Sequence, residues 1–199
     1  MLLGCNSNNN QVVTSEETSI NDSIKLTSYQ YEIIRKRQKK NNNLIKNGVI
    51  EQDSLIRFKG LMYFDVDSTY IVKAKVEKLT PSVVTFGTTS NENRSYYKFL
   101  KLTFPLNGVE NILYAYIENP QNPTDLFIPF KDLSNNNTTY GAGRYMDLKY
   151  KGEETFILLD FNYAYNPYCH YNHHYSCPIV PFENHLKTEI NAGEKKLYN

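Results

Sequence analysis

Hydrophobic and polar residues alternate with period two over much of the chain after residue 55. In residues 69–79, tyrosine, valine and alanine would lie on one side, and lysine and glutamate on the other. This alternation is typical of a strand in a sheet that is buried on one face. The pattern returns at residues 83–86, 96–104, 111–117, 126–130 and 186–190. We therefore predict an all-β domain at residues 50–199, built as a single antiparallel barrel or sandwich.

A hairpin is predicted near the carboxyl end of this domain. Residues 144–150 and 155–161 both alternate, and Gly152 between them suits the first central position of a type II′ turn. The register that follows makes Asp147 and Asp160 diagonal neighbours on the outward face, close enough to interact. The same register places Tyr145 opposite Asp160 and turns Arg144 toward the core.

The beginning of the chain has a different character. Residues 1–27 are rich in polar side chains, which cannot offset the entropy lost on ordering, so we predict a flexible tether there. Residues 28–43 have helical spacing, with Ser28 as a candidate N-cap, and are predicted to form a helix.

The first five residues end in Leu2-Leu3-Gly4-Cys5, which resembles the end of a bacterial lipoprotein signal. Because Cys5 comes too early for a complete signal, either the start is truncated or misplaced, or the match is chance. We expect Cys5 to carry lipid and to anchor the protein in the cell envelope, as a periplasmic or outer-membrane lipoprotein. The membrane is then one partner of the protein.

Charge gives little reason to expect nucleic acid as a partner. The chain has 199 residues and a net charge of +1, whereas binding a phosphate backbone requires a clustered basic surface. The basic run at residues 35–40 is interpreted as a solvated helix face, with contact to anionic lipid headgroups as the alternative. The 17 tyrosines favour a β protein and are compatible with a binding surface.

Candidate chemistry gathers around the predicted hairpin. Asp147 and Asp160 could divide acid and base roles or bind a hard cation, with Asn162 on the same side. The structural alternative pairs Asp147 with Lys149 or an arginine, and makes Asp160 and Asn162 an Asx-turn cap.

A guanidinium on a core face needs partners. Arg144 is therefore predicted either to hold an internal carboxylate or to await an anionic ligand as a bidentate clamp. It is our first candidate for a ligand contact.

The cysteines agree with an envelope location. If Cys5 carries lipid, Cys169 and Cys177 remain and are expected to pair in an oxidising compartment. With His170, His173 and His174 they could instead offer zinc ligands, but the spacing fits no zinc motif and an oxidised pair could not ligate. We predict neither a metal nor a cofactor.

Several motifs together resemble the bacterial family of domain of unknown function 1684. They keep their order from about residue 55 to the C-terminus: Phe58-Lys59-Gly60-Leu61, Tyr63-Phe64, Pro129-Phe130-Lys131-Asp132-Leu133, Tyr140-Gly141 through Leu148, Asp160-Phe161-Asn162 through Cys169, Cys177-Pro178, Glu183-Asn184-His185-Leu186 and Ala192-Gly193-Glu194. In this form the chain resembles lipoproteins of Bacteroidetes, which implies an envelope location. The resemblance implies no activity, and it includes Arg144, Asp160, Asn162, Asn166 and the two cysteines in the family pattern.

These observations favour a non-enzymatic binding or structural module over an enzyme. Its predicted ligand site is polar and lies at one end of the barrel, with an unknown small molecule or envelope component as partner: Arg144, Tyr145, Asp147, Asp160, Asn162 and Asn166. The alternative is a hydrolase or metal-assisted enzyme that uses Asp147 and Asp160, or the histidine loop between the two cysteines.

Overall fold

A computed structural model describes residues 15–197, with the side chains of residues 15–27, 52 and 53 left undescribed. Helix α1 spans Ser15–Lys46 and the short helix α2 spans Gln52–Leu55. Helix α1 is longer at both ends than the predicted helix of residues 28–43, so residues 15–27, predicted as tether, are helical. The remainder of the predicted tether, with Cys5, lies outside the described residues.

In the described part of the chain, six strands form one antiparallel sheet in the order β5-β4-β3-β2-β1-β6, curled like half a barrel. This confirms the predicted all-β fold with an N-terminal helix. The bounds are β1 Ile71–Gly87, β2 Asn93–Leu106, β3 Val109–Ile117, β4 Asp125–Phe130, β5 Arg144–Lys149 and β6 Phe156–Asp160.

The curl of the sheet has two visible causes. The β1–β2 register shifts between Lys78 and Ser82, where Pro81 cannot donate to the ladder, and the β2–β3 register shifts between Lys98 and Leu100. Bulges of this kind bend a strand and increase its twist. The short link from β5 to β6 joins opposite edges of the sheet, which a flat six-stranded sheet would hold about 24 Å apart.

The predicted hairpin of residues 144–150 and 155–161 is therefore wrong. Strand β5 pairs with β4, and β6 pairs with β1, so the two strands lie at opposite edges. The alternation indicated the correct faces but not the partners, because the period-two signal is local and strand pairing is not. Residues 186–190 also form no strand, although their burial still alternates.

The two faces of the sheet bury different kinds of side chain. The concave core is aliphatic and aromatic, with Leu100, Leu102 and Phe104 of β2 almost fully buried. The opposite face carries a smaller aromatic cluster around Phe86, Tyr96 and Tyr116. These three rings are themselves buried, so the sheet packs against protein on both faces.

Helix α1 is bound to the domain by specific polar contacts. The Tyr29 hydroxyl donates to Asp160 at 2.5 Å, Arg37 donates to the Phe64 carbonyl at 2.9 Å, and Ile33 is buried. These contacts hold the helix against the segment before β1 and the end of β6. No helix in the described residues has an apolar stretch long enough to cross a lipid bilayer.

Candidate functional site

An open cleft of about 930 Å³ lies over the second, aromatic face of the sheet. It is called the aromatic cleft below. Six aromatic rings and five charged side chains contribute to its walls: Tyr96, Phe127, Tyr145, Tyr165, Tyr168, Tyr175, Lys40, Arg94, Glu118, Asp125 and Asp147. A concave, largely apolar pocket with a few polar groups is the usual form of a small-ligand site.

Strand β5 forms the floor of the aromatic cleft. Its alternation turns Arg144 and Met146 into the core and leaves Tyr145 and Asp147 on the cleft side. Phe127 of β4 is the direct cross-strand partner of Asp147, and its ring lies 4.9 Å from that of Tyr145. The floor is therefore a carboxylate set among aromatic rings.

The opposite wall is the irregular segment of residues 165–178, which is fastened to the turn between β1 and β2. Thr89 N donates to the Cys177 carbonyl at 3.0 Å, and Arg94 donates to the Ser176 carbonyl at 2.9 Å. The Tyr145 hydroxyl donates to the Pro178 carbonyl from the floor. These bonds hold the wall in place, although its regular secondary structure is limited to one turn of 3₁₀ helix at Tyr168–His170.

Asp147 has an unusual environment for a carboxylate. Its Oδ2 accepts a 2.6 Å hydrogen bond from the Tyr165 hydroxyl, and no lysine or arginine lies within 4 Å among the described residues. The side chain remains open to the water of the cleft, but the surrounding walls desolvate it and raise its pKa. The predicted pairing of Asp147 with Lys149 or an arginine is wrong, because Lys149 pairs with Asp125.

Lys40 of helix α1 closes one end of the aromatic cleft. Its ammonium group lies 2.6 Å from the buried Glu194 carboxylate and 4.8 Å from the centre of the Tyr165 ring. Glu194 therefore compensates the charge that Lys40 brings to the wall. The lysine also links the helix to the C-terminal segment.

The two C-terminal cysteines meet beside the cleft. Cys169 N donates to Cys177 Sγ at 3.3 Å, and both residues are free thiols in the structure. Donation from the Cys169 side chain lowers the pKa of Cys177, which lines the cleft, while the same interaction raises the pKa of Cys169. The predicted disulfide stays a prediction, although the two side chains already touch.

Arg144, our first candidate for a ligand contact, is completely buried and does not line the cleft. Its Nη2 donates to Asp132 and to the Ile190 carbonyl, both at 2.9 Å, and its Nη1 donates to the Ala192 carbonyl at 2.5 Å. Of the two predicted roles, the structure shows the one in which the guanidinium holds an internal carboxylate.

Asp160 and Asn162 lie at the far edge of the sheet from the aromatic cleft. Asp160 accepts from Asn162 N at 3.0 Å, which is the Asx-turn cap predicted as the structural alternative. Asn162 also bonds the backbone of Asp67 with both its amide atoms. Since β5 pairs with β4 and β6 pairs with β1, Asp147 and Asp160 are not the diagonal cross-strand neighbours that the predicted hairpin required.

Asn166 belongs to a third group of residues, around Glu194. Its amide Nδ2 donates to Glu194 at 3.2 Å and to the Lys195 carbonyl at 2.8 Å. The Tyr171 hydroxyl donates to the same carboxylate. Six predicted ligand-binding residues thus separate into buried structural groups and a cleft pair, Tyr145 and Asp147.

Two of the three histidines between the cysteines bond protein groups through a ring nitrogen. His170 Nε2 accepts from Leu197 N at 2.8 Å, and burial lowers the pKa of His170 to about 4. His173 pairs with Glu51. In the part of the chain that the structure describes, no three His, Cys, Asp or Glu side chains are arranged to hold a metal ion.

Sequence reasoning missed most of the cleft. Lys40, Arg94, Phe127 and Tyr165 come from four separate segments, and no local motif links them. The high tyrosine content was the one available signal, because it indicated a binding surface without locating it.

Comparison with known proteins agrees with the fold. A family described as "Protein of unknown function (DUF1684)" matches residues 56–195. No curated protein matches the chain. A solved structure that it resembles is the solution NMR structure of an uncharacterised protein from gene locus rrnAC0354 of Haloarcula marismortui.

That protein is 32% identical to this chain with a TM-score of 0.69, and the match covers 86% of this chain and 96% of the other. The family match covers the whole sheet, both cysteines and the buried Arg144. The chain therefore belongs to the DUF1684 family of proteins of unknown function.

Proposed function

We propose that this protein is a lipid-anchored envelope protein whose domain binds a small ligand in the aromatic cleft without transforming it. The observation that carries the proposal is the cleft itself. It combines a volume of about 930 Å³ with ring-lined walls and a floor carboxylate that has no cationic partner among the described residues. Pockets of this size and lining are typical of small-molecule sites.

The aromatic cleft is held in shape before any ligand arrives. The rings of Tyr96 and Phe127 stack at 5.3 Å, and those of Tyr145 and Tyr165 meet edge to face at 5.9 Å. Tyr145 is also fixed through its hydroxyl to the segment of the opposite wall. A site with preset side chains loses little conformational entropy on binding, which favours affinity.

An enzymatic role has less support from the geometry. The hydrolase alternative relied on Asp147 and Asp160 as cross-strand neighbours in one hairpin, and their strands do not pair. Its other form needed free imidazoles, and the ring nitrogens of two of the three loop histidines, His170 and His173, bond Leu197 and Glu51. The arrangement supports recognition more directly than it supports proton transfer.

The envelope location rests on the sequence at Cys5 and on the pair of cysteines near the cleft. A lipid on Cys5 would tether the domain to a membrane, and an oxidising compartment would join Cys169 to Cys177. Mass spectrometry of Cys5 in protein from its native host tests the anchor. An unmodified Cys5 would overturn the proposed envelope location. It would leave the proposed binding function of the aromatic cleft unaffected.

The binding function is tested by blocking the aromatic cleft. Asn122 is exposed on its rim, so Asn122→Trp would place an indole in the space that a ligand would use. The matched control is Asn137→Trp, another exposed asparagine that does not line the cleft. A fragment library is screened against both variants and the wild type by ligand-observed NMR.

We expect fragments that bind the wild type to keep binding Asn137→Trp and to lose binding to Asn122→Trp. Equal fragment binding to all three proteins would show that the cleft is not the site, and would overturn the proposed function.

A further inference from the structure

We infer that the ligand of the aromatic cleft is an organic cation, with an ammonium or guanidinium group held against Asp147 and the rings beside it. This inference rests on the proposed function and names the chemistry of its ligand. It follows from the charges that line the cleft and from the rings around Asp147.

The charges of the aromatic cleft are unevenly compensated. Lys40 is paired with Glu194 at 2.6 Å, and Asp125 is paired with Lys149. Among the described residues, neither Asp147 nor Glu118 has an ion-pair partner. With Arg94 as the one unpaired lining cation in that set, the lining carries an excess of one negative charge.

Three aromatic residues lie beside Asp147. Phe127 is its cross-strand partner, Tyr145 precedes it by two residues on the same face, and Tyr165 bonds it through the hydroxyl. The ring centres of Phe127 and Tyr165 lie 4.9 and 5.9 Å from that of Tyr145. A carboxylate and ring faces together attract an organic cation more strongly than either does alone.

Other ligand classes fit this site less well. A hard metal cation requires six or more oxygen ligands, and the floor offers one carboxylate among rings. An anion would meet the net negative charge of the lining, in which, among the described residues, Asp147 and Glu118 outnumber the unpaired Arg94. A neutral ring could stack on the tyrosines, but it would leave the partly desolvated carboxylate without a counter-charge.

A matched pair of probes separates charge from shape. Phenethylamine carries an ammonium group, and 2-phenylethanol is the neutral molecule of similar size and shape. Both are titrated against the wild type, Asp147→Asn and Asp125→Asn, with affinity measured from NMR shifts of the cleft residues. Asp147→Asn keeps the acceptor for the Tyr165 hydroxyl, and Asp125→Asn removes an acid of the same cleft that already has a lysine partner.

We expect phenethylamine to bind the wild type about tenfold more tightly than 2-phenylethanol does, and to lose about tenfold in Asp147→Asn. Asp125→Asn should bind the amine almost as the wild type does, and the alcohol should not distinguish the three proteins. Equal affinities of amine and alcohol would overturn the cationic class while leaving the cleft as a binding site. An amine that binds equally well to Asp147→Asn, or that does not bind in the cleft at all, would also overturn it.

Discussion

Two of the charged side chains of strand β5, three residues apart, have completely different surroundings. Arg144 is buried beneath the sheet, where Asp132 and backbone carbonyls from residues 190–194 accept hydrogen bonds from its two Nη atoms. Asp147 faces the aromatic cleft and has a tyrosine hydroxyl as its bonded neighbour. The Arg144 side chain bonds within the fold, whereas the Asp147 carboxylate remains accessible to a ligand. Burial and partners, rather than charge, separate a structural residue from a candidate site residue.

The largest expected difference is between the stabilities of variants at Arg144 and at Asp147. Arg144→Met leaves Asp132 without its buried cation, and should lower the free energy of unfolding by about 3–5 kcal/mol. Asp147→Asn, at an open position, should change it by less than about 0.5 kcal/mol. Urea unfolding of both variants measures the two values. Similar losses in the two would contradict the division of roles.

A second test compares two glycines. Gly193 and Gly152 both have positive φ, at 76° and 102°, but a Cβ on Gly193 would lie 2.6 Å from the Ala164 carbonyl oxygen, whereas Gly152 has open space. We expect Gly152→Ala to cost about 1–2 kcal/mol from backbone strain, and Gly193→Ala to cost about 1–3 kcal/mol more from overpacking. Thermal and urea unfolding check the order. Equal losses of stability would mean that the backbone around Gly193 shifts to accommodate a Cβ despite its close contacts.

A third test concerns the cleft wall. Oxidation of Cys169 and Cys177 by glutathione disulfide would close a short loop and raise the free energy of unfolding by about 2–3 kcal/mol. A Cys169→Ser control should show no such rise. Unfolding under oxidising and reducing conditions, with thiol counting by mass spectrometry, measures the effect. Two thiols that resist oxidation in the folded protein would contradict the predicted disulfide between Cys169 and Cys177.

The smallest effect should come from His170, which lies between the rings of Tyr140 and Tyr171. Burial lowers the pKa of His170 to about 4 in the folded protein. In the unfolded chain the imidazole is protonated near pH 6.5, at a pH where the folded protein still holds it neutral. Stability should therefore fall as pH drops from 6.5 toward 4, by about 1–2 kcal/mol between pH 7 and pH 5. The charged and titratable groups facing the imidazole are Lys40, Tyr140 and Tyr171.

The control for this prediction is His170→Gln, which retains an acceptor for the Leu197 amide. Its stability should vary less with pH than that of the wild type over the same range. Parallel pH profiles for the two proteins would show that another group is responsible.

Local patterns in the sequence predicted most of the strands and their faces, although residues 186–190 form no strand. The alternation around Arg144 and Asp147 correctly separated core from cleft, because successive side chains of a strand point to opposite sides. The Asx-turn at Asp160 was also predictable, since it involves residues two positions apart. Such features depend only on neighbours in the chain.

The pairing of strands and the composition of the cleft were not predictable in this way. Gly152 gives a turn signal, yet the turn leads β6 to β1 on the opposite edge, which is set by contacts more than 80 residues apart in sequence. Lys40 and Tyr165 meet through the docking of helix α1. Only the tertiary structure brings such distant residues together.

The position of Lys40 has a consequence for divergence among related proteins. It closes the cleft from a helix that precedes the matched family segment of residues 56–195. A substitution at this one lysine could reshape an end of the cavity while every strand and the buried guanidinium stayed as they are. Homologues could thus acquire different ligand preferences through their leading helix, on a scaffold that remains the same.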